Sequence, residues 1–137
     1  EGALDRLGAA LAAGDVDGDG RHELLVGAPE WNGIGRAYLI RAADEFGTRH
    51  AGEAEARLMA PLASAGHFGS AVALIDVDGN GRADLVVTAP GEGDGVGHVY
   101  IFASERALRG PLVEQADGVL SGRSASERVG SDATIDR

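Results

Sequence analysis

The sequence predicts an all-β fold made of repeated four-stranded sheets, and three observations carry that reading. The 137-residue chain matches itself when shifted by 61 residues. Each copy holds short apolar runs closed by turn residues, and each places an acidic, glycine-bearing loop at the same point. Repetition at this period makes the repeat the unit of folding.

The match runs through the chain. Leu7-Gly8 falls on Phe68-Gly69, and that pair on Val129-Gly130. The stretch from Asp15 to Arg21 falls on Asp76 to Arg82, and Leu24 to Pro29 falls on Leu85 to Pro90. Gly35 to Ile40 matches Gly97 to Phe102 after one inserted residue, and Leu58-Met59 returns to the first offset against Val119-Leu120. The organisation is a lead-in at 1–6, repeats at 7–67 and 68–128, and the opening strand of a third repeat at 129–137.

Within each repeat, Ala9–Ala13 and Ser70–Ile75 are small apolar runs that predict a first strand. Leu24–Val26 and Leu85–Val87 predict a second, ended by Ala-Pro because proline cannot donate to a ladder. Tyr38–Ile40 and Val99–Phe102 predict a third. Arg57–Met59 and Gly118–Leu120 predict a weaker fourth. Continuous rather than alternating apolarity implies strands buried on both faces. Residues 41–56 and 103–117 read as polar surface connections with room for a helical turn, Glu53-Ala-Glu-Ala-Arg57 being helix-prone. Four strands in about 61 residues, covered on both faces and repeated, are the arithmetic of a β-propeller blade. A two-repeat sandwich or a solenoid is the alternative. Two blades leave apolar faces bare, so the expectation is an incomplete propeller, or one assembled from several chains. The missing blades would come from a longer chain, another chain or copies of itself.

Composition excludes several functions. Apolar residues make up 44% and charged residues 25%, a globular profile. A net charge of −10 disfavours nucleic acid. None of the 12 bases is Lys, which removes a phosphate-loop or Schiff-base lysine, and there is no Cys for disulfides, thiolate metal sites or thiol catalysis. No apolar run approaches the ~18 residues of a membrane span. The chain opens at Glu1 with neither Met nor signal peptide, as an excised piece would.

The chemistry lies in two loops, Asp15-Val-Asp17-Gly-Asp19-Gly-Arg21-His-Glu23 and Asp76-Val-Asp78-Gly-Asn80-Gly-Arg82-Ala-Asp84. Oxygen ligands stand at positions 1, 3, 5 and 9 of each, with the position-7 carbonyls of Arg21 and Arg82 in reach and Gly at position 6 for a sharp turn. Hard oxygens converging from alternate positions suit Ca²⁺, two ions per chain. Zinc is disfavoured because His22 has Ala83 as its counterpart. An EF-hand would close with Glu at position 12 and a helix, whereas Val26 and Val87 stand there within β-prone runs. The plain alternative is a polar turn.

Together, Phe68-Gly69, the acidic loop, Thr88-Ala89-Pro90 and Gly97-x-Val-Tyr-Ile-Phe resemble the FG-GAP repeat of integrin α subunits and bacterial surface proteins. The resemblance implies a β-propeller and Ca²⁺ in the loop joining a blade's first two strands, held by Asp15, Asp17, Asp19, Arg21 and Glu23, and by Asp76, Asp78, Asn80, Arg82 and Asp84. Leu7 and Val129 depart from the named Phe, Thr88 from the Gly of GAP, and Glu23 from the usual Asp. Arg in place of Lys suggests a bacterial source.

No catalytic constellation stands out. His22, His50, His67 and His98 fall at different points of the repeat. Gly122-Arg-Ser124-Ala-Ser126 lacks the closing glycine of a hydrolase elbow. Gly91–Gly97 reads as a long mobile turn, and Trp31 as a sugar- or partner-contacting side chain or an interblade packing residue. The expected function is a non-enzymatic, calcium-binding adhesion or interaction module, extracellular, at the cell surface or periplasmic, with a protein or glycan ligand. The alternatives are the propeller portion of a secreted polysaccharide lyase or phospholipase, and a lectin-like propeller.

Overall fold

The computed structural model describes residues 5–41, 47, 54, 56–60, 66–108, 112–113 and 115–124. The predicted third-repeat strand at 129–137, His50, and Glu53 and Glu55 of the helix-prone stretch lie outside these. The first sheet runs β1 (Ala10–Gly14), β2 (Glu23–Ala28), β3 (Arg36–Ile40) and β4 (Ala56–Leu58), each antiparallel to the last. The second runs β5 (Val72–Ile75), β6 (Asp84–Ala89), β7 (His98–Phe102) and, past the two-residue β8 (Leu112–Val113), β9 (Gly118–Ser121).

Three expectations need correction. The connection at 103–117 does hold a helical turn, at Ser104–Ala107, but it is not only surface loop: its β8 pairs parallel with β4, giving the first sheet a fifth strand. Ala56 and Arg57, at the end of the helix-prone stretch, belong to β4. The fourth strands also align one residue differently. Ala37 pairs with Leu58 and Val99 with Leu120, so Leu58 corresponds to Leu120 rather than Val119. The inserted residue is therefore still carried at the fourth strand. Hydrogen-bond register to the third strand, which spacing in sequence cannot express, sets that equivalence.

The sheets face each other across one core. Leu25, Ala37, Leu39 and Leu58 of the first meet Leu74, Leu85, Val87, Tyr100 and Phe102 of the second, all buried. Phe68 plugs the centre of this seam, its ring 5.7 Å from that of Tyr100 and 6.2 Å from that of Phe102. On the first sheet's other face Tyr38 and Ala28 are buried and Val26 is nearly so, but Leu24 is 40% exposed and Leu11 65%, so continuous apolarity here brings burial on both sides only in part.

Backbone approach explains the glycines of the motif. Gly69 has φ +97°, and its carbonyl oxygen lies 2.0 Å from where a Cβ on Gly27 would be. Gly35 gives way likewise, with the Phe68 carbonyl oxygen 2.2 Å from its Cβ position. No side chain fits at either point.

The turn at Gly91–Gly97 is better anchored than its composition suggests. Glu92 is 1% exposed and accepts a hydrogen bond from the Tyr100 hydroxyl. Burial, then this hydrogen bond, pushes the Tyr100 pKa well up, so the phenol stays a donor. His98 stacks on Tyr100 with its Nδ1 3.7 Å from the Glu92 carboxylate.

Two outcomes follow from this packing. Gly27→Ala forces its methyl onto the Gly69 carbonyl and is expected to cost about 3 kcal/mol in urea unfolding, at the upper end of ordinary overpacking. Tyr100→Phe withdraws a hydroxyl donor from a buried carboxylate and should cost about 2 kcal/mol in the same measurement.

Candidate metal centres

Each acidic loop joins the first two strands of its sheet, between β1 and β2 and between β5 and β6. Both are folded by their own carboxylates. Asp15 accepts from the Gly18 amide through Oδ1 at 2.7 Å and from Gly20 through Oδ2 at 2.9 Å. Asp76 does the same with Gly79 at 2.8 Å and Gly81 at 2.8 Å. Asp17 and Asp78 each cap the amide two residues on, at 3.1 Å and 3.0 Å. Position 5 repeats the move: the Arg21 amide donates to Asp19 Oδ1 and the Arg82 amide to Asn80 Oδ1. Turning the chain this tightly needs left-handed residues, supplied by Gly18 and Gly20 and by Gly79 and Gly81.

This winding gathers the acids. Asp15, Asp17 and Asp19 each offer a carboxylate oxygen within 4.8 Å of the others, and so do Asp76, Asp78 and Asp84. The first group draws its third carboxylate from position 5 and the second from position 9. Asn80, the amide at position 5 of the second loop, donates through Nδ2 to Asp78 Oδ2 at 3.2 Å. The backbones of Arg21 and Arg82 lie on the same turns, with both side chains in solvent.

The acid at position 9 has a second task that spacing did not reveal. Glu23 is 1% exposed and accepts from the Val16 amide at 2.9 Å, and Asp84, 2% exposed, accepts from the Val77 amide at 3.0 Å. Each latches the start of its loop to the following strand. Asp84 also accepts from the Ser104 amide at 2.9 Å, tying the loop to the helical turn after β7. The recurrence of an acid at the head of each second strand was the legible signal; its burial was not.

The two loops are neighbours. The Ala83 amide donates to the Asp15 carbonyl at 2.7 Å, and a cleft of about 410 Å³ between them is lined by Asp15, His22, Asp76 and Arg82 among others. Hydrogen bonds from the loop backbone, the Gly81 amide foremost, hold the Asp76 carboxyl below its ordinary value. Such a group stabilises the fold above its unfolded pKa, and that contribution is lost as pH falls through the lower folded value. Metal-free thermal stability is therefore expected to hold from pH 7 to about 5 and to drop below about 4, with Asp76→Asn shrinking the drop.

Trp31 is not free to stack on a ligand. The Arg36 guanidinium lies 3.4 Å from the centre of its ring, and the indole packs with Tyr38 on its own sheet. His67 sits 3.4 Å from the Glu30 carboxylate on the exposed rim.

Two sheets with a metal-type loop between their first two strands define a pair of propeller blades. Residues 7–40 and 68–102, half of the chain, match the model of the FG-GAP repeat, and the chain belongs to that family. It is similar to integrin alpha-4 of Xenopus laevis, 38% identical over 97 residues, which are 70% of this chain and 9% of that protein. It is likewise 38% identical over 110 residues to human integrin alpha-IIb, covering 72% of this chain and 10% of that protein. Phosphatidylinositol-glycan-specific phospholipase D of Rattus norvegicus is 36% identical over 110 residues, 71% of this chain and 13% of that protein. The chain thus spans about a tenth of the length of the curated relatives it matches.

Proposed function

We propose that this chain is a calcium-binding segment of an FG-GAP propeller, acting as a protein-interaction or adhesion module outside the cell, at its surface or in the periplasm. The carrying observation is the gathering of three carboxylates at the same place in both blades. Hard oxygens on tight loops suit Ca²⁺, and there is no thiolate in the chain to favour a softer ion. The ligands of the first ion are Asp15, Asp17 and Asp19, with the Arg21 carbonyl and the latching Glu23. Those of the second are Asp76, Asp78, Asn80 and Asp84, with the Arg82 carbonyl. Bound Ca²⁺ would neutralise acids that repel one another and stiffen the strand-joining loops. External calcium, at millimolar levels, matches the affinity of such exposed sites. Among the described residues no helix is long and apolar enough to cross a membrane.

Similarity to integrin alpha chains supports an interaction role. Similarity to phosphatidylinositol-glycan-specific phospholipase D supports a second reading, in which the blades belong to an enzyme whose catalytic groups lie in other parts of a longer protein. Turnover of a phosphatidylinositol-glycan substrate by the full-length protein separates the two. A lectin role is disfavoured by the Arg36 cover on Trp31.

Calorimetry should find two Ca²⁺ per chain, and chelation should lower the melting temperature, since a ligand at about a hundred times its Kd adds about 2.7 kcal/mol. Asp17→Asn with Asp19→Asn should remove one ion and leave the other. No heat and no thermal shift at millimolar Ca²⁺ would refute the proposal.

A further inference from the structure

The two acidic loops meet through their backbones. The Ala83 amide of the second loop donates to the Asp15 carbonyl of the first at 2.7 Å. That amide and the Arg82 carbonyl are the two ends of one planar peptide group. The Arg82 carbonyl is among the ligands assigned above to the second ion, and Asp15 is among those of the first. The connection runs one step further. The peptide group that begins at the Asp15 carbonyl ends at the Val16 amide, which donates to Glu23 Oε2 at 2.9 Å in a buried contact. Glu23 is another ligand assigned to the first ion.

We propose that these two peptide groups, linked in series, couple the calcium sites, so that occupancy of the second loop tightens binding at the first. The inference rests on the calcium reading. Its chemistry is polarisation and placement. Electron density drawn toward the Arg82 carbonyl oxygen makes the Ala83 N–H a stronger donor. The Asp15 carbonyl is polarised in turn, and the Val16 N–H then donates more strongly to Glu23. A peptide plane held at both ends also cannot tilt without giving up one of its bonds. Asp15 and Glu23, at the first and ninth positions of their loop, are thereby fixed before an ion arrives there, which lowers the cost of binding it. By linkage the first site tightens the second by the same factor.

The packing around the relay favours a close approach. Gly14, directly before Asp15, has the Ala83 Cβ 3.1 Å and the Leu74 Cβ 2.9 Å from its own Cβ position, so a side chain there would push the loops apart. The Arg82 side chain also reaches the first loop. Its Nε lies 3.3 Å from the Cβ position of Gly18, whose amide donates to Asp15 Oδ1. Charge acts in the opposite sense, since a cation in one loop weakens the acidic field at the other. Salt at about 0.15 M screens that field over about 8 Å. The relay works by contact and is not screened.

Calorimetry with Ca²⁺ in about 0.15 M salt tests this on the 137-residue chain. Asp78→Asn with Asn80→Ala disables the second loop and should weaken the remaining ion at the first by about fivefold or more. Lactic acid in place of Ala83 deletes the N–H and keeps the Arg82 carbonyl, so both ions should bind while the coupling is lost. Nuclear magnetic resonance gives a readout that does not depend on folding of the ester. In the chain carrying Asp17→Asn and Asp19→Asn, Ca²⁺ filling the second loop should move the Ala83 and Val16 amide protons downfield. A first-site affinity unchanged by loss of the second, a first site that binds more tightly without it, or Ala83 and Val16 amides that stay still as the second loop fills would each overturn the coupling and leave the calcium reading standing. No Ca²⁺ binding at all would overturn both.

Discussion

The carbonyl of Gly69 rests where a side chain on Gly27 would be, with only 2.0 Å to a notional Cβ, and the rest of the fold is arranged around that contact. It brings the start of β5 against the first sheet closely enough for Phe68 to enter the seam. Once Phe68 is seated, Tyr100 and Phe102 pack on it, and Tyr100 in turn holds the buried Glu92. A sheet face of aliphatic side chains buries without direction. The backbone contact adds the direction, fixing how far along and how close the second blade sits.

Placement of the acidic loops follows from the same seam. The Ala83 amide can reach the Asp15 carbonyl only when the blades are side by side in this register. Each loop is held at its base by the acid that begins the following strand, Glu23 or Asp84, and wound by amide hydrogen bonds to Asp15 or Asp76. The carboxylates are thus gathered by backbone geometry, which leaves them few ways to separate their charges. A cation bound there, as proposed, would relieve that repulsion.

Repeats that are equal in sequence are unequal in place. Where Trp31 lies beneath Arg36 in the first blade, Glu92 is buried against Tyr100 in the second. Gly14 and Gly27 line the inner seam, while Ile75 and Thr88 hold the same positions on the outer face. Bulk is excluded where two backbones must nearly touch and tolerated where they need not.

From the sequence alone, the all-β class, the first three strands of each blade and the position of both acidic loops were legible, because each rests on local chemistry. Apolar runs, Ala-Pro stops and Asp-Gly spacing act within a few residues of themselves. Glu23 and Asp84 were recognisable as acids in the right place, but their turn inward to the Val16 and Val77 amides was not. Tertiary structure decided the register of the fourth strand, the pairing of β8 with β4, the burial of Glu92 and the exposure of Leu11 and Leu24. Each of these depends on which sheet face meets which, a relation between residues far apart in the chain that no local pattern encodes.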